Sequence, residues 1–156
     1  MQRPSYTGDA GFSVGEALFA LAAGALLIAI AAPELGTVQR QRTLELATDR
    51  FVAAHTLARS SAMQHGRVAE LRVDAEAGRF WVSIDTAGTG VPDTVGEVQT
   101  IEEGVRITST VEVLCFDPEG GRVATGPCAA DDASLDFESD GARRTVRVHR
   151  SGEVDR

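Results

Sequence analysis

Lysine is absent from this chain, so all 15 of its cationic side chains are arginine. A P-loop, whose phosphate cradle needs a lysine, is thereby excluded; the arginine-only usage itself reads as a coding bias and not as a functional signal. Positive charge is also in deficit. Against the arginines stand 23 acidic residues and a net charge of −8, a balance that argues against a general binder of nucleic acid or of anionic membrane surfaces. Cysteine is scarce: only Cys115 and Cys128 are present, with no second ligand at CxxC or HxxxH spacing, so a structural zinc site is excluded. The three histidines, His55, His65 and His149, show no metal spacing either, and no G-x-S-x-G or dinucleotide fingerprint occurs. Asp131 and Asp132 are adjacent and lack the alternating ligands of a calcium loop, so they read as a solvated turn. No cofactor, metal or catalytic group is expected, and the chain is not expected to be an enzyme.

What the sequence does contain is an apolar run, Phe12 to Ala32, interrupted by a single charge, Glu16. As a helix it would span about 30 Å, the thickness of a bilayer's hydrocarbon core. A carboxylate placed there costs about 2.5 to 3.5 kcal/mol even on lenient insertion scales, so it needs an assigned partner. Cleavage after Gly11 would supply one, because the new amine on Phe12 would lie about one helical turn from Glu16. A conventional secretory signal peptide is a rival reading, but it has a basic leading region and a shorter apolar core ending in a small-residue cleavage site. A plain single-pass anchor is another, and it leaves Glu16 without a purpose. Pro33 follows the run and would kink the helix or mark its exit from the membrane.

The sequence Gly11-Phe12-Ser13-Val14-Gly15-Glu16 resembles the junction of type IV pilin and pseudopilin precursors. The resemblance implies cleavage between Gly11 and Phe12 by a prepilin peptidase and N-methylation of Phe12. It also implies assembly roles for Glu16 and Pro33. Residues 1–11 are then a leader, 12–32 a transmembrane and filament-core helix, 33–66 its amphipathic extension, and 67–156 a periplasmic β-rich head. An anchored, exported head also bears on the cysteines. Cys115 and Cys128 flank a segment rich in Gly and Pro and read as a disulfide in an oxidising compartment, or as two free thiols in a reducing one.

Beyond Pro33, the residues Leu44, Ala47, Phe51, Ala54, Ala58 and Ser61 recur at spacings of three and four, which predicts an amphipathic helix ending at Gly66. The period then changes to two. Ala69, Leu71 and Val73 lead through Glu76-Ala77-Gly78 into Phe80, Val82 and Ile84, a hairpin with Trp81 on its opposite face. Residues 86–96 read as loop, with strands following near 98–101, 105–107 and 111–116. Leu135 and Phe137 are expected to pair with Val146 and Val148 across Asp140-Gly141. The expected fold class is α+β: a long N-terminal helix, kinked at Pro33, packed on a two-sheet β body.

This order resembles the H-type minor pseudopilins of type II secretion and the FimT-type minor pilins, one family (GspH/FimT). It is carried by Trp81, Leu57-Ala58-Arg59-Ser60-Ser61-Ala62, Leu114-Cys115-Phe116 and the close at Ser151-Gly152-Glu153-Val154. The resemblance implies other pilin or pseudopilin subunits and an inner-membrane assembly platform as partners. It also raises duplex DNA as an alternative ligand, through Arg143, Arg144, Arg147 and Arg150. If Val146 and Val148 face the core, Arg143, Thr145, Arg147 and His149 face outward, with Asp136 and Glu138 on the partner strand. Cross-strand pairs of Arg143 and Arg147 with those carboxylates would neutralise much of the patch, which favours a filament subunit over a DNA receptor.

Overall fold

A computed structural model of the chain describes residues 13–124, 126–128 and 131–156, with the side chains of residues 30–35 outside that description. Gln39–Arg156 is one compact unit, and the described residues before it belong to another. Helix α1 spans Val14–His65, with Pro33 inside it. Its start is fixed by a capping box: the Glu16 N–H donates to Ser13 Oγ at 3.2 Å, and the Ser13 N–H donates to the Glu16 carboxylate at 3.0 Å. Its end is a Schellman-type cap. Gly66 takes φ 62°, open to glycine at little cost, and the Arg67 N–H donates to the Ala62 carbonyl at 3.2 Å.

Among the described residues nine strands follow: β1 Ala69–Asp74, β2 Arg79–Ile84, β3 Asp93–Thr100, β4 Arg106–Ser109, β5 Val113–Phe116, β6 Arg122–Val123, β7 Ala133–Ser139, β8 Ala142–Val148 and β9 Val154–Asp155. They form two antiparallel sheets, one in the order β3-β2-β1-β5-β6 and the other β4-β7-β8-β9. The alternation of β1 and β2 buries Leu71, Val73, Phe80 and Val82 on one face of the first sheet. Leu135, Phe137, Val146 and Val148 are buried in the second. The helix stripe read from the sequence, Leu44 through Ser61, is buried throughout, together with Thr48, His55 and Ala62. Phe51 joins the layers. Its ring meets Phe80 of the first sheet edge-on at 5.6 Å and Phe137 of the second at 6.0 Å.

Three elements depart from the sequence reading: β3, β6 and the two-residue β9, which pairs with β8 where no strand was expected. Strand β3 begins at Asp93, inside the stretch expected to be loop, and its pairing with β2 shifts between Phe80 and Val82. Gly96 sits in that irregularity at φ 75°, where an added Cβ would lie 3.2 Å from Leu57 Cδ2. The glycine that looked like a loop marker is a bulge residue that lets the strand approach the helix. Strand β6, two residues long, was not expected at all, because its pairing with β5 carries too short a pattern to read. The β7–β8 hairpin turns on Asp140 at φ 45° and Gly141 at φ 82°, the two positive values that a type I′ turn requires.

Candidate functional site

Gly11 and Phe12, the expected cleavage pair, lie outside the described residues. Glu16 is exposed, and its carboxylate is engaged by the backbone of Ser13 in the capping box. The sequence reading assigned this carboxylate an amine partner and missed the cap, although Ser13-x-x-Glu16 is its recognisable spacing. The helix around it is apolar on all sides: Leu18, Phe19, Leu21, Leu26, Leu27 and Ile28 are all exposed. Such a surface calls for a lipid or protein environment. Among the described residues no helix is long and apolar enough to cross a membrane. The expected span reaches past that description at both ends, at Phe12 and at the side chains of residues 30–32. Cys115 of β5 and Cys128 form a disulfide with a Cα–Cα separation of 5.5 Å.

The arginines near the C-terminus separate into different tasks. Arg143 on the outer face of the second sheet approaches Asp136 at 3.9 Å and Glu138 at 3.7 Å, and Asp136 also accepts from the Thr145 hydroxyl at 2.5 Å. Arg147 does not make the expected pair. The register sets Glu138 opposite Arg143 and Asp136 opposite Thr145, which leaves Arg147 between Ser134 and Asp155. Arg144 belongs to the other face of β8 and donates to Glu45 of the helix at 2.7 Å. Arg156 likewise meets Asp49 at 2.5 Å. The backbone N–H of Arg150 donates to Asp132 at 2.9 Å, and its side chain is exposed. Among the described residues no ion pair occupies the guanidinium of Arg147 or Arg150, and no group of three or more His, Cys, Asp or Glu residues is placed to hold a metal.

A family model for the type II transport protein GspH matches residues 47–152. The chain belongs to the GspH family. Among solved structures it is similar to the type IV minor pilin FimU of Pseudomonas aeruginosa, at 16% identity over 76% of this chain and 90% of that one, with a TM-score of 0.58. It is also similar to the minor pseudopilin EpsH from the type 2 secretion system of Vibrio cholerae, at 15% identity over 72% and 94% of the two chains, with a TM-score of 0.57. No curated protein matches by sequence. At such identities the structural likeness concerns the fold, and the family match carries the function. The family match makes this chain a type II transport protein of the GspH type, with the fold of the minor pilin and the minor pseudopilin it resembles.

Two titratable clusters in the GspH-type head were not legible beforehand. His55 is buried on the helix against Phe116, ring centroids 4.9 Å apart. Burial, with Arg59 and Arg122 nearby, lowers its pKa from 6.5 to about 4, so it is neutral at physiological pH. His149 behaves oppositely. Its hydrogen bond to Asp155 at 2.7 Å raises its pKa above 6.5, and Asp132 at 3.6 Å adds to the effect. The charged imidazole ties β9 to the segment preceding β7, a contribution complete below pH 6.5 and lost as the pH rises through the raised value. His65 Nδ1 lies 2.9 Å from the Ser61 carbonyl at the helix end.

Proposed function

We propose that this subunit is made as a precursor, cut between Gly11 and Phe12 by a prepilin peptidase, methylated on Phe12, and drawn from the inner membrane into a filament by an assembly platform. The head then lies in the periplasm, and the chain works as a structural subunit and not as an enzyme. The observation that carries this reading is Glu16, the single carboxylate in the apolar run 12–32, whose large side chains are exposed among the described residues. In an apolar filament core a carboxylate is tolerated when an amine meets it, and the Phe12 amine of a neighbouring subunit would do so. That pairing would set the register, since a one-residue slip leaves two unmatched charges. The capping box supports the same role: Ser13 already holds the carboxylate at the helix start, one residue from the amine that cleavage would create.

Coexpression with a prepilin peptidase tests the processing step. Intact mass should fall by the mass of residues 1–11, and Gly11→Ala should slow the cut; a terminus elsewhere overturns it. Glu16→Ala should insert into membrane at least as well as the parent chain yet fail to enter sheared filaments. Incorporation at the parental level would refute the pairing role. The DNA-receptor reading keeps one supporting observation, the guanidinium groups of Arg147 and Arg150 that no ion pair occupies among the described residues, while Arg143 and Arg144 are engaged within the head.

A further inference from the structure

The outer face of the first sheet carries a groove of about 520 Å³ where the chain crosses from β4 to β5. Trp81 and Val113 flank Arg72 in one cross-strand row, and Asp74, Glu76, Val111 and Glu112 are among the other lining residues. The charges in and around it do not cancel. Arg72 is satisfied by Glu70 at 2.6 Å and Asp74 by Arg79 at 3.0 Å, two neutral pairs. The carboxylates of Glu76 and Glu112 have no partner among the described residues, so the groove holds a surplus of two negative charges beside an indole. The indole already serves as a cation platform, with the Arg79 guanidinium 5.8 Å from the ring centroid.

From this charge complementarity we propose that the groove is a docking site for a basic segment of a different protein. An Arg or Lys side chain of that segment lies along Trp81 and meets Glu76 and Glu112. The site is independent of helix-mediated assembly, because no residue of α1 lines the groove. Electrostatic complementarity of this kind chiefly provides selection of the partner and speed of encounter. Trp81 contributes the apolar contact that makes the pairing specific to a long cationic side chain.

The test exploits the fact that Trp81 is the only tryptophan. The full chain in detergent micelles is titrated with an Arg-Gly-Arg tripeptide amide, and in parallel with its citrulline counterpart, while the indole fluorescence is followed. The expected result is a saturable change with the arginine peptide only, weakened by salt and weakened about tenfold by Glu76→Gln with Glu112→Gln. Glu119→Gln with Glu153→Gln removes the same charge from other exposed positions and should leave the titration unchanged. No saturable response, or equal weakening by both double variants, overturns the proposal. So does salt-sensitive self-association that disappears in Glu76→Gln with Glu112→Gln, since the occupant would then be a second copy of this chain.

Discussion

Arg144 of β8 donates to Glu45 of the helix at 2.7 Å, joining two residues 99 positions apart in the chain. The pair sits on a half-exposed rim, where solvent screens its attraction. A double-mutant cycle with Glu45→Ala and Arg144→Ala should therefore give a coupling of about 0.5 kcal/mol in chemical denaturation, and no more than about 1 kcal/mol. Coupling beyond that would mean that the rim is drier than its exposure indicates.

His55 makes a pH-dependent prediction of definite sign. Between pH 6.5 and about 4 the unfolded chain takes up a proton that the folded chain refuses. Stability should consequently fall as the solution is acidified through that interval, by an amount on the order of a few kcal/mol at its lower end. His55→Leu should flatten this part of the profile relative to the parent chain. Parallel profiles for the two proteins, measured by denaturant titration at several pH values, would assign the acid sensitivity to the carboxylates instead.

Closing the segment between Cys115 and Cys128 restricts the unfolded chain, a gain of about 3 kcal/mol for a loop of this size. Peptide mapping of exported material without reductant should recover the linked pair. Reduction should lower the denaturation midpoint by a corresponding amount. Two free thiols in exported protein would remove the bridge from the account of the head.

For duplex DNA, weak binding at physiological salt is expected, unaltered by Arg143→Ala because that guanidinium faces Asp136 and Glu138. Gel-shift titration at two salt concentrations decides the matter. If Arg147 and Arg150 did meet phosphates, replacing both with Ala would reduce the log-log salt slope by about two units. That result would make DNA capture the leading function of the head.

Local pattern carried much of this fold. The spacing from Leu44 to Ser61 named the buried stripe of the helix, and Asp140-Gly141 marked a hairpin because few residue pairs accept two positive φ values. Register and long-range partners were beyond it. Pairing Arg147 with Asp136 or Glu138 satisfied charge and face, yet one strand offset decided that Arg143 takes both carboxylates. Likewise nothing near Arg156 in the chain announces Asp49, 107 residues away, because which loop end reaches which helix turn follows from the packing of whole sheets. At the amino-terminal site Glu16 stood out by its charge alone. Its bond to the Ser13 backbone was hidden by a reading that looked only for an amine.

Phe51 touches Phe80 of one sheet and Phe137 of the other, and the buried stripe from Leu44 to Ala62 lines the core between them. Tension along this part of the helix is therefore taken up by side-chain packing and not by the connection at Gly66. To pull the helix out of the head, a force would have to strip both sheets of their inner contacts together, in one cooperative rupture. The head should then resist extraction with the strength of its whole core. A Phe51→Ala substitution, at a cost of about 3 to 5 kcal/mol, would weaken that mechanical joint before it altered any surface the head presents.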